Sequence, residues 1–133
     1  MYRFILVILC VLNSSCALSR VAVVMAPPEE ITANEFVSLA RLLENEMSQT
    51  FGFEKDLRIG DSQNLIFTKV DDSWGIVGFG IEYDGKLELW ISGPTGFEDS
   101  DLCYKIKTHL ARVLKGHGLD PVISLRKSIF YIA

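Results

Sequence analysis

Apolar residues recur at Phe36, Leu39, Ala40, Leu43 and Met47, at offsets of three and four. That spacing makes one stripe of a helix, and Arg41, Glu44, Asn45 and Gln49 fall largely off it. Ahead of the stripe, Thr32-Ala33-Asn34-Glu35 has the form of a capping box. The Thr32 hydroxyl can accept from the Glu35 amide, and the Glu35 carboxylate can reach back to the amide of Thr32. Gly52 supplies a stop, so a helix is predicted over residues 33–50. A second stripe runs through Leu102, Ile106, Leu110, Val113 and Leu114, with Cys103 beside it. Ser100 or Asp99 can cap this helix, and Gly116 and Gly118 end it.

Between the two helices the period changes to two. Asn64 to Val70 reads as a strand, and Asp71-Asp72-Ser73 as a turn. Gly75 to Tyr83 and Lys86 to Ser92 then form a hairpin about Asp84-Gly85. A two-residue turn would mix apolar and charged residues on both faces. A three-residue loop with Gly85 left-handed in a bulge pairs Ile81 with Leu87, Phe79 with Leu89 and Val77 with Ile91. All six apolar residues then share one face. Gly78, Gly80, Glu82, Lys86, Glu88 and Trp90 take the other, with Trp90 opposite Gly78. A slip of one residue reverses every side chain, so burial selects the second register. Pro121 opens a last apolar segment from Val122 to Ile132, read as one bulged strand or two short ones.

Val21 to Ala26 is β-branched and apolar and stops at Pro27-Pro28. It is either the first strand of the domain or the tail of an anchor. The predicted order is (β)-α-β-β-β-α-β, an α+β fold with two helices packed on one face of a mainly antiparallel sheet. It is close to a split β-α-β arrangement with an extra strand.

The first residues follow a different rule. Met1-Tyr2-Arg3 gives one positive charge, Phe4 to Leu12 is unbroken apolar sequence, and Asn13-Ser14-Ser15-Cys16-Ala17 follows. A charged start, a short apolar run and a small-residue exit make the pattern of a secretory signal peptide over residues 1–16, ahead of one domain over 17–133. The run is shorter than the about 20 apolar residues of a bilayer-spanning helix. The exit resembles a bacterial lipobox, which implies Cys16 as the site of lipid attachment. Asn13 departs from that pattern, which has an apolar or small side chain there. Ordinary cleavage after Ala17-Leu18-Ser19, before Arg20, is the second reading. An anchor retained through Ala26 is the third.

Composition narrows the rest. The chain has 133 residues, of which 49% are hydrophobic and 23% charged, within the range of one globular domain. Lys and Arg total 13 against 17 Asp and Glu, a net charge of −4 with no basic stripe, which argues against nucleic acid as a partner. Once Cys10 and Cys16 leave or are acylated, Cys103 stands alone and is expected to be buried and unpaired.

No catalytic, metal or cofactor signature is found. His109 and His117 lack partners at metal-like spacing, and Cys103 and His109 are six apart on one helix and share no face well. Glu98, Asp99 and Asp101 suit the start of the second helix and argue against Ser92-Gly93-Pro94-Thr95-Gly96 as a phosphate cradle. The aromatic residues are more informative. Trp90 is expected among Glu82, Lys86 and Glu88 on the polar side of the sheet, and Trp74 beside a turn. An aromatic among charges on an uncovered face has the composition of a protein-binding patch. The alternative is that Trp90 only shields Gly78 and Gly80, or that residues 20–26 or 57–59 fold across it.

The sequence therefore leads to the expectation of a small exported, membrane-anchored binding protein without enzymatic activity. It would face the periplasm or exterior and bind a protein partner, as an immunity or inhibitor protein does. A structural or accessory subunit of an envelope assembly is the alternative. An enzyme with an unrecognised site comes third, and a histidine joined to a carboxylate in a pocket would revive it.

Overall fold

The computed structural model describes residues 17–56 and 63–131. The elements in chain order are β1 (Ala17–Ala26), α1 (Ala33–Phe51), β2 (Glu54–Lys55), β3 (Asn64–Asp71), β4 (Gly75–Tyr83), β5 (Leu87–Pro94), a 3-10 turn (Phe97–Asp99), α2 (Asp101–Gly116) and β6 (Val122–Tyr131). The strands form one antiparallel sheet in the order β2-β3-β4-β5-β1-β6. The fold is α+β, as the patterning predicts, with β2 as an added two-residue strand.

The local signals act as chemistry dictates. Thr32 caps α1 by accepting from the Glu35 amide at 3.1 Å, and the Glu35 carboxylate accepts from the Thr32 hydroxyl at 3.2 Å. Phe36, Leu39, Ala40, Leu43 and Met47 are its buried face, and Gly52 ends it. Ser100 caps α2 through the Cys103 amide at 3.0 Å. The buried face of α2 is Cys103, Ile106, Leu110 and Leu114, so Cys103 lies within the stripe and Leu102 and Val113 at its margins.

One core joins both helical stripes to alternate positions of the sheet: Val21, Val23, Met25, Phe67, Val77, Phe79, Ile81, Leu87, Leu89 and Ile91. The opposite positions of each strand form an outer face. Val24 belongs to that outer face and is nevertheless buried. It lies between Trp90 of β5 and Ser124 of β6. Burial on both sides explains why Val21 to Ala26 reads as a continuous apolar run rather than an alternating one. The segment is a strand between β5 and β6. Among the described residues, no helix is long and apolar enough to cross a membrane.

The β4–β5 hairpin has the predicted faces in a different register. The pairs are Tyr83 with Leu87, Ile81 with Leu89 and Phe79 with Ile91. The loop has three residues, as predicted, and Gly85 has φ 93°, but the three are Asp84, Gly85 and Lys86. Tyr83 decides the difference. Its hydroxyl donates to the Ile31 carbonyl at 2.8 Å, and its ring stacks on Phe36 at 4.7 Å. Both contacts hold Tyr83 in the strand and displace the pairing by two residues. A shift of two preserves parity, so the same six apolar side chains stay buried. Trp90 consequently faces Gly80 rather than Gly78. The last segment is one regular strand, paired with β1 from Val122 to Tyr131 without a bulge.

Candidate interaction face

The outer face takes its character from β3, β4 and β5. Trp90 projects from β5 onto Gly80, and a Cβ at Gly80 would fall inside the indole ring. At Gly78 it would lie 3.2 Å from the ring and 2.6 Å from the Ser92 hydroxyl oxygen. The indole thus lies on bare backbone, where both glycines are buried and Trp90 itself is half-buried. This shielding role accounts for the two glycines and leaves part of the indole in contact with solvent.

Toward the hairpin end, Glu82 and Glu88 are direct cross-strand partners. Like charges at that position repel. Arg126 relieves the repulsion by donating to the Glu88 carboxylate at 3.1 Å. Its own strand neighbour is Ala22, which pairs in turn with Ser92, so the guanidinium reaches over β1 and back along β5 to meet Glu88. Glu82 is exposed. A cleft of about 310 Å³ opens beside it, lined by Gln63, Asn64, Glu82, Tyr83, Asp84, Lys86 and Glu88. The Asn64 Oδ1 is buried there and accepts no hydrogen bond. Lys86 is exposed, and its backbone bridges Glu30.

Of the residues singled out from sequence, Trp90, Glu82, Lys86 and Glu88 therefore share one face. Trp74 does not join them. It stands at the β3–β4 turn, at the other end of the sheet, with its ring edge-on to the buried Phe97 at 5.6 Å. Asp71 shapes that turn, its Oδ2 accepting from the amides of Ser73 and Trp74 at 2.9 and 3.1 Å. Cys16 lies outside the described residues. In the sequence Arg126 only interrupts the apolar run from Val122 to Ile132. Nothing in its local pattern announces that β6 lies beside β1 and brings Arg126 to this face.

The remaining chemical groups have local partners. His109 Nε2 lies 2.8 Å from a Glu46 carboxylate oxygen, linking α2 to α1, and Phe51 meets the His109 ring edge-on at 5.7 Å. The histidine and carboxylate are joined, but neither lines the outer-face cleft. His117 Nδ1 is 3.0 Å from the Val113 carbonyl at the end of α2. Glu98 accepts from the Gly96 amide at 2.9 Å, and Asp101 pairs with Lys105 at 3.0 Å. Among the described residues no group of three His, Cys, Asp or Glu side chains is arranged to hold a metal ion. Cys103 is buried and forms no disulfide, and burial pushes its thiol pKa up.

Compared with models of known protein families and with curated protein sequences, the chain matches none.

Proposed function

We propose that this protein is a small exported, membrane-anchored binding module without enzymatic activity, and that its outer sheet face takes a protein partner. One observation carries the reading. A half-buried indole and an acid-rich cleft share a sheet face, while the buried stripes of both helices are spent on the opposite one. Aromatic surface beside fixed charges offers burial for affinity and charge for selectivity. Arg126 answers Glu88 but not Glu82, so a cationic group from a partner is favoured beside the exposed Glu82. The test is a photo-crosslinking amino acid placed at position 82 in the full chain in cells, with one at Tyr104 on the exposed side of α2 as control. A discrete protein adduct at position 82, lost when Glu88→Lys is added and absent at position 104, is expected. No adduct at 82, or equal adducts at both, overturns the reading.

The alternative, a subunit of an envelope assembly, draws on β6. This edge strand leaves Ile123 and Leu125 48% and 49% exposed, although they point to the helical side of the sheet. An assembly through that edge would show as a larger species of fixed stoichiometry that Leu125→Lys dissolves.

A further inference from the structure

We infer that the end of the sheet bearing the β3–β4 turn lies against a lipid bilayer, with Val70, Trp74 and Ile76 in contact with lipid and the Glu82–Glu88 cleft directed away from it. The inference rests on the membrane-anchored reading above and adds an orientation to it.

Strand direction supplies the first argument. Chain direction places the start of β1 at this end: Arg20 pairs with Pro94, and its guanidinium donates to the Ile76 carbonyl at 3.0 Å. Ala17 lies three residues further out, about 10 Å at strand spacing. The sequence immediately before Ala17 holds Cys16 and the apolar run Phe4 to Leu12. An acyl chain on Cys16 would therefore join the domain at the first residue of a sheet strand, with no linker between lipid and fold. A domain so tethered must present this end to the membrane.

The surface at this end supplies the second. Val70 and Ile76 are direct cross-strand partners on the outer face and are 81% and 59% exposed. On the outer face Val24 is covered and Val122, 62% exposed, stands at the opposite end on edge strand β6, so these two form the exposed apolar pair of this end. Trp74, in the turn between them, is half-buried and amphipathic, a residue type favoured at bilayer interfaces. Arg20 stands in the same cross-sheet row and can offer its remaining donors to phosphate. Asp71 and Asp72 at the turn, with Glu98, Asp99 and Asp101 between the end of β5 and the start of α2, disfavour an anionic surface, so contact with zwitterionic headgroups is the match.

The chain holds two tryptophans, one at each location, which makes the orientation measurable. The full-length protein is reconstituted in vesicles of phosphatidylcholine brominated on its acyl chains. Trp90→Phe leaves Trp74 as the sole emitter, and Trp74→Phe leaves Trp90. The expected result is loss of Trp74 emission and retention of Trp90 emission. Quenching of Trp90 with Trp74 spared, or flotation of the protein with neither quenched, overturns the orientation and leaves the anchored reading standing. Failure to float at all overturns the anchored reading, and this inference with it. Should either tryptophan variant fail to fold, spin labels at Val70→Cys and Glu82→Cys give the same comparison. Oxygen collision greater at 70 than at 82 supports the orientation, and equal or reversed collision overturns it.

Discussion

Trp90 and Gly80 are direct cross-strand neighbours, and the indole of one occupies the volume where a side chain on the other would begin. The pair is a single packing unit on the outer face. An aromatic ring here removes the backbone of two buried glycines from water while remaining partly exposed itself.

Gly80→Ala is accordingly expected to destabilise the protein by ~1–3 kcal/mol, because the methyl group forces the indole off its site. Trp90→Ala removes the obstacle. The double variant should lose less stability than the two single losses added together, as residues in contact couple. Urea unfolding of the four proteins checks this. Simple additivity would show that the indole does not rest on Gly80.

A second expectation concerns Arg126. Arg126→Ala leaves Glu88 facing Glu82 without its cation, at a cost of about 0.5–1 kcal/mol for a partly exposed pair. Adding Glu82→Gln should recover most of that loss by removing the repulsion. The loss should also shrink in high salt, since exposed charges are screened. Denaturation midpoints at low and high salt decide the matter. A loss unchanged by salt and by Glu82→Gln would assign the role of Arg126 to packing over β1 instead.

Cys103 offers a pH dependence whose sign follows from its burial. The folded state raises the thiol pKa, so it holds the proton more tightly than the unfolded chain does. The corresponding stability is complete below the ordinary thiol pKa of about 8.5 and is lost as pH rises through the folded value. Unfolding measured between neutral and alkaline pH should therefore show a decline that Cys103→Ala reduces. Native Cys103 should also react slowly with thiol reagents. Rapid labelling without unfolding would contradict the buried position.

What the sequence made legible follows from the range of each interaction. Helix caps and stripes are local, and Thr32, Gly52 and Ser100 act where their neighbours imply. The hairpin faces were legible because parity depends only on alternation and burial. The register was not, because Tyr83 is held in the strand by Ile31 and Phe36, residues far away in the chain. Trp90, Glu82, Lys86 and Glu88 fall together because they sit on one hairpin. Trp74 parts from them because the 3-10 turn delivers Phe97 beneath it. Arg126 stayed hidden because only the β1–β6 pairing brings it near. β2 is too short to carry any periodicity.

The start of β1 gives the last prediction. A cut before Cys16 leaves β1 whole. A cut before Arg20 removes Ala17, Leu18 and Ser19, which pair with Tyr131, Phe130 and Ile129 of β6. It also removes the Ser19 hydroxyl, 2.6 Å from that of Thr95, and the Ser19 carbonyl that accepts from the Thr95 amide at 3.4 Å. Each hydrogen bond contributes about 0.5–1.5 kcal/mol net, so several lost together, offset by fraying at a strand end, predict a deficit of ~1–3 kcal/mol. Purified chains beginning at Ala17 and at Arg20 should therefore differ in urea midpoint, with the longer one more stable. The Arg20 chain should also lose amide-exchange protection along the last residues of β6. Equal stability and equal protection would mean that the first three residues of β1 contribute nothing to the fold. Both cleavage readings would then be equally compatible with the folded domain, and the choice between them would rest on the fate of a Cys16→Ser variant in the membrane fraction.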